Sequence, residues 1–275
     1  MTFSERIFMN RIDKKFRELK NKKKPAFIPF ITAGDPDLQT TKALILEFEK
    51  RGADIIELGI PFSDPIADGP IIQASYYRAL VKGLKVAQIL DMVSKLRNES
   101  EIPIVSMVSY STVFKGGCQV FIEKACKAGL DGLTIPDLPV EENNEIFQVA
   151  KEKDFKIVCF IAPTTTDQRK ILITQKSQGF LYYISVVGIT GVRDKIPEDV
   201  LQNIKSLKQI TDTPISVGFG VSTPDHAKTI GKAADGVIVG SAIIREVEKY
   251  TNEPFEKLVT KVGEFVGELV LGAKG

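Results

Sequence analysis

The chain has no tryptophan, a single histidine and only three cysteines in 275 residues. One histidine leaves no partner for a Ser/Cys–His nucleophile pair and no multi-histidine metal site. His226 follows the cap signal Ser222-Thr223-Pro224-Asp225, which puts it on a helix, where a lone histidine reads as a surface residue. Cys118, Cys126 and Cys159 have no CxxC spacing. An odd number of them behind an N-terminus without a secretory pattern indicates a reducing, cytoplasmic setting. No run approaches the ~18 apolar residues of a membrane span. The formal net charge of +2 is too balanced to call for a nucleic-acid or membrane partner. The basic stretch Lys20-Asn21-Lys22-Lys23-Lys24 reads as a solvated helix end. Acid–base chemistry in such a chain falls on carboxylates.

Short β-branched runs alternate with amphipathic stretches throughout. Strands are expected at Phe27–Thr32, Asp54–Ile60, Ile104–Ser109, Gly132–Ile135, Lys156–Ile161, Phe180–Ser185, Ile215–Gly218 and Gly236–Val239. Between them lie helical patterns at Leu38–Arg51, Ala87–Asn98, Val120–Ala128, Asn144–Lys153, Asp167–Lys176, Glu198–Ile210 and Asp225–Ala233. Glu256–Leu271 closes the chain, and Glu5–Lys20 precedes the first strand. Strand followed by helix, repeated, specifies parallel β/α units. Most strands are apolar on both faces, as a sheet covered on both sides requires. Eight such units fit an α/β (β/α)8 TIM barrel with an extra N-terminal helix. The competitor is a doubly wound open sheet, but Ala33-Gly34-Asp35-Pro36-Asp37 is no dinucleotide fingerprint. No linker-like stretch interrupts the pattern, so residues 1–275 read as one domain.

In such barrels the strand C-termini and the loops after them build the active site. Glu57 lies in the second strand and Asp68 in the loop "PFSDPIADGP" after it. Strand alternation can aim Glu57 at the barrel interior, where an idle carboxylate is not tolerated. Asp68 before Gly69-Pro70 is also ordinary turn chemistry. Glycine turns follow the last three strands: Val187-Gly188-Ile189-Thr190-Gly191, Gly218-Phe219-Gly220-Val221-Ser222 and Gly240-Ser241-Ala242. Backbone N–H groups there, with a following helix N-terminus, suit a phosphate. A phosphorylated metabolite is therefore expected, its reacting end near Glu57 and Asp68. No lysine stands at a strand C-terminus, since Lys156 starts its strand, which disfavours a Schiff-base aldolase. The sequence offers no metal site.

"PFITAGDPD", "ELGIPFSDPIADGPIIQ", "PDLPVEE", "GITG", "GFGVSTP" and "GSAII", spread in order over residues 29 to 244, resemble the tryptophan synthase α-subunit family. The resemblance implies retro-aldol cleavage of indole-3-glycerol phosphate to indole and glyceraldehyde 3-phosphate, the last stage of tryptophan biosynthesis. It implies Glu57 and Asp68 as the catalytic pair. Gly191, Gly220, Gly240 and Ser241 fall on its phosphate-binding groups. Phe30, Tyr182 and Phe219 match pocket-lining residues, Tyr110 a tyrosine beside the site, and Thr190 the threonine of a mobile loop. No cofactor is implied in this chain; pyridoxal phosphate belongs to a partner β subunit, in an α2β2 assembly. Two stretches depart from the family pattern: Ser111-Thr112-Val113-Phe114, where relatives carry Asn and a longer turn, and Val186-Val187, where some carry Arg. Other phosphate-binding barrels, such as isomerases or prenyltransferases, lack the Glu-plus-Asp arrangement. A different class of reading is a non-catalytic subunit that activates a β partner by docking.

Overall fold

The computed structural model describes residues 9–142, 144–184, 198–218 and 220–275. Eight parallel strands close into a barrel in sequence order. They are β1 (Ala26–Thr32), β2 (Ile56–Gly59), β3 (Ile104–Met107), β4 (Gly132–Thr134), β5 (Lys156–Ile161), β6 (Leu181–Ile184), β7 (Ile215–Gly218) and β8 (Gly236–Val239). The helices before β5 are α1 (Arg11–Lys22), α2 (Leu38–Lys50), α3 (Pro70–Leu80), α4 (Val86–Leu96), α5 (Tyr110–Lys115), α6 (Cys118–Ala128) and α7 (Asn144–Glu152). After it come α8 (Asp167–Lys176), α9 (Glu198–Leu207), α10 (Pro224–Ala233), α11 (Ser241–Tyr250) and α12 (Phe255–Lys274). Every expected strand is present. Three helices were not expected from the pattern: α3, α5 and α11. Each begins within a few residues of glycine, proline or a strand end, where turn chemistry masks helical periodicity.

Alternation along each strand divides the core in two. Outward residues such as Phe27, Ile31, Ile56, Leu58, Leu133 and Val237 pack against the helix ring. Inward Ile28, Ile55, Val105, Val158 and Ile238 fill the barrel, joined by Ile12, Phe16 and Leu19 of α1. Those three recur at i, i+4 and i+7, one helical face, so α1 plugs the N-terminal mouth. Asn10 caps α1 by accepting from Ile12 N–H at 2.9 Å, and its Nδ2 donates to the carbonyls of Asp131 and Asp154.

A repeated device closes the same end. Before each even strand stands a side chain that accepts the N–H of a residue in the preceding odd strand. Asp54 takes Phe27 N–H at 2.8 Å, Asp131 takes Ile104 at 2.8 Å, Gln178 takes Ile157 at 3.4 Å and Asp235 takes Ile215 at 2.9 Å. The three carboxylates also bind cations: Lys274 on Asp54, Arg97 and Arg11 on Asp131, and Lys208 on Asp235.

One sequence expectation fails here. His226 is buried, 7 % exposed, because α12 crosses α10 closely. A Cβ at Gly231 would lie 2.5 Å from Ala273 O, and one at Gly272 would lie 2.5 Å from Pro224 O. Glycine at both positions lets the helices approach until His226 is covered, and its Nδ1 makes no hydrogen bond among the described residues.

Candidate active site

Above the apolar filling, one layer of the barrel is polar. Glu57 on β2 is 1 % exposed. It accepts from Thr134 Oγ1 of β4 at 3.2 Å and from Tyr182 Oη of β6 at 3.4 Å. The three residues come from alternate strands, as the layered interior of such barrels requires. Burial pushes the Glu57 carboxyl up to about 8; the hydrogen bond from Thr134 opposes this, and the charge of Asp68 adds to it. Glu57 is thus a held proton at neutral pH.

Glycines make room for the aromatic walls. Gly59 is two residues beyond Glu57 on the same strand face, and a Cβ there would lie 2.6 Å from Phe30 Cζ and 2.9 Å from Tyr76 Oη. On β7, a Cβ at Gly218 would lie 2.5 Å from Tyr182 Cε1. Phe30, Ile72, Tyr76, Met107 and Ile244 form a small apolar cluster of their own at this end of the barrel. The ring of Tyr182 rests on Phe160, with centroids 4.8 Å apart.

Asp68 lines a pocket with Tyr76, Met107, Ser109 and Asp137. Partial burial raises its carboxyl to about 6, with the neighbouring Asp137 charge adding to the shift. Asp137 is itself held in place, accepting from Ser109 Oγ at 2.7 Å and Tyr110 N–H at 2.8 Å. The loop carrying Asp68 runs into α3, whose Gly69 cap and Pro70 at the first turn stop the loop sharply. α3 is anchored from behind. Ser75 and Thr32 share a hydrogen bond at 2.6 Å, and Arg78 binds the buried Asp35 in bidentate fashion at 3.0 and 2.8 Å. Arg78 also reaches Glu248 of α11 at 2.9 Å, joining α3 to the helix that begins at Ser241.

Gly240 is the N-cap of α11 and Ser241 its first residue. The first N–H groups of such a helix have no intrahelical partner and carry the positive end of its dipole. Gly220, after β7, has φ +76°, the left-handed region that favours glycine. Tyr110 begins α5 and stacks on Phe114 with ring centroids 5.7 Å apart. The departing stretch Ser111–Phe114 is therefore helical. Thr190, Gly191 and Phe219 lie outside the described residues, as do Val186 and Val187. Lys156 sits at the opposite end of the barrel, bound to Asp13 at 2.7 Å and Asp154 at 2.6 Å, and no Schiff-base lysine enters the site from it.

Sequence reasoning missed Thr134, Tyr76 and Gly59, and it read Gly218 only as part of a glycine turn. Alternation from Gly132 could have found Thr134. Tyr76 was hidden with α3, whose buried face of Ile72, Ser75, Tyr76 and Ala79 has helical spacing.

The family model described as "Tryptophan synthase alpha chain" matches residues 16–273. A tryptophan synthase alpha chain of Thermoanaerobacter sp. (strain X514) is 46% identical over 261 residues, covering 95% of this chain and 98% of the relative. The crystal structure of tryptophan synthase subunit alpha from Legionella pneumophila str. Paris superposes with a TM-score of 0.88 at 34% identity, covering 96% of this chain and 98% of that one. A chain in the tryptophan synthase complex from Pyrococcus furiosus gives 0.79 at 38% identity, covering 88% and 98%.

Proposed function

The chain belongs to the tryptophan synthase alpha chain family, which cleaves indole-3-glycerol phosphate to indole and glyceraldehyde 3-phosphate, and we propose that Glu57 and Asp68 are the acid–base pair of that cleavage. The observation that carries this reading is Glu57 itself, 1 % exposed on β2 and hydrogen-bonded by Thr134 and Tyr182, with Asp68 on the loop that follows the same strand. At neutral pH Glu57 keeps its proton while Asp68 has mostly lost its own, so two carboxyls take different roles.

Glu57 gives its proton to indole C3, and the ring becomes an indoleninium whose N1–H is stabilised by the Asp68 carboxylate. The Glu57 carboxylate then takes the proton of the side-chain hydroxyl next to the scissile bond. The O–H electron pair forms the aldehyde C=O, the C–C pair returns to the ring, and neutral indole leaves with Glu57 protonated again. Phe30 and Tyr182 line the pocket for the ring, and Tyr110 stands beside it. The phosphate is held by Gly220, Gly240 and Ser241, which the N-terminus of α11 supports; Gly191, Thr190 and Phe219 belong to the same reading. No cofactor enters the step. The family's pyridoxal phosphate belongs to the β subunit, which we infer to be this chain's partner in an α2β2 assembly; that a chain of the Pyrococcus furiosus tryptophan synthase complex shares this fold supports the inference.

We read residues 1–275 as one domain, on the ground that α1 and α12 pack on the same closed barrel. Cytoplasmic residence is supported by three free cysteines, two of them buried. Among the described residues no helix is long and apolar enough to cross a membrane.

The test is indole release by the wild type, Glu57→Gln and Asp68→Asn, each with a cognate β subunit. Both variants should lose ~10²-fold or more in kcat. Wild type that stimulates the β reaction yet releases no indole would make this a docking subunit alone.

A further inference from the structure

Tyr76 belongs to none of the roles assigned above. Its ring is buried in the cluster with Phe30, Ile72, Met107 and Ile244, while its hydroxyl packs against Gly59 and the residue lines the Asp68 pocket. Among the described residues that hydroxyl makes no hydrogen bond, whereas Tyr182 Oη, from the other side, already donates to Glu57. A phenol on the wall of the Asp68 pocket has a donor available to a ligand that enters it.

We propose that the Tyr76 hydroxyl is a third catalytic group, donating a hydrogen bond to the substrate side-chain oxygen that becomes the aldehyde carbonyl. The position fits on three counts. Gly59 lies two residues beyond Glu57 on one strand face, so the phenol against it stands beside the carboxyl proposed to act at the reacting end. Tyr76 projects from the helix that the Asp68 loop enters, eight positions after Asp68, so both flank one space. The group is also fixed as a donor: burial holds the phenol well above its usual range, and the charges of Asp68 and then Glu57 raise it further. It cannot compete with Glu57 as a base, and it offers the one proton needed to polarise the oxygen as C=O forms.

This inference rests on the acid–base reading of Glu57 and Asp68, and the test separates the two. Tyr76→Phe keeps the ring in its cluster and removes the hydroxyl alone. Two quantities are measured: turnover of indole-3-glycerol phosphate, and binding of an indole alkyl phosphate of the same length without side-chain hydroxyls. The expected result is a fall of about 10- to 10²-fold in kcat/KM, with binding of the hydroxyl-free phosphate unchanged. Equal loss on both ligands makes Tyr76 a packing residue and overturns the proposal, as does no loss on either. Glu57→Gln and Asp68→Asn run alongside: if they remain active, the acid–base reading falls, whatever Tyr76→Phe does.

Discussion

At the scale of single residues, the proposed mechanism divides the work of the two carboxyls by environment. In it Glu57 must be protonated to start the cleavage and Asp68 ionised to support it. Activity should therefore rise as pH passes about 6 and fall as it passes about 8. Because the groups feel one another, the two limbs belong to the pair as macroscopic values. A kcat/KM profile flat across that range would contradict the assignment. Glu57 also has a stability consequence. Its folded pKa lies above the ordinary 4.5, so between those values the folded chain holds a proton that the unfolded chain has released. Stability must then fall with rising pH across the window. Glu57→Gln should be the more stable protein at pH 8 by up to a few kcal/mol, the difference fading toward pH 4.5. Urea unfolding at several pH values measures it. A variant less stable at pH 8 would mean that the amide cannot replace the carboxyl between Thr134 and Tyr182.

At the scale of elements, the site depends on how closely strands and helices approach. Gly218 has no side chain because the Tyr182 ring occupies the place of its Cβ. Gly218→Ala should swing that ring off Glu57 and cost ~10²-fold in kcat/KM, with the loss of stability limited to ~1–3 kcal/mol. Steady-state kinetics beside thermal unfolding would show whether the rate falls out of proportion. Arg78 acts between elements, tying α3 to the turn after β1 and to α11. Arg78→Met leaves Asp35 buried with an unpaired charge, and should cost ~3–5 kcal/mol in denaturant unfolding. Gly218 sits in "GFG", whose local reading as a turn hides its contact, and Arg78 sits in α3, which the sequence pattern did not reveal.

For the whole molecule, the two ends of the barrel have separate duties. The N-terminal end holds α1, the capping side chains before the even strands and their cations. The C-terminal end holds the carboxyls, the aromatic walls and, among the described residues, the turns at Gly220 and Gly240. Asp131, accepting from Ile104 N–H and bound by Arg97 and Arg11, belongs to the first set. Asp131→Ala should lower the melting temperature sharply, by ~3–5 kcal/mol of stability, and leave kcat/KM of the folded enzyme unchanged. A change in kcat/KM at a temperature where the variant is fully folded would show that the ends are coupled.

Period alone determined the barrel: runs of buried β-branched residues alternating with amphipathic stretches leave few architectures, and all eight strands fall where that alternation puts them. Glu57 was legible for the same reason, as a charge inside an apolar strand. The "PFSDPIADGP" stretch and the glycine turns then carried the family resemblance. Helices α3 and α11 were not legible, because proline and glycine at their starts speak locally for turns, and α5 is a six-residue helix that follows β3 almost directly. His226 was misread, since whether a helix face meets solvent depends on a crossing by α12, far along the chain. Only the closed barrel could bring Thr134 and Tyr182 onto Glu57, or set Tyr76 beside Gly59. The two contacts of Glu57 join residues 77 and 125 positions apart, and local pattern carries no information about them. The physical reason is closure itself: strand tilt and register stack alternate strands into layers, and a layer exists only once the ring is complete.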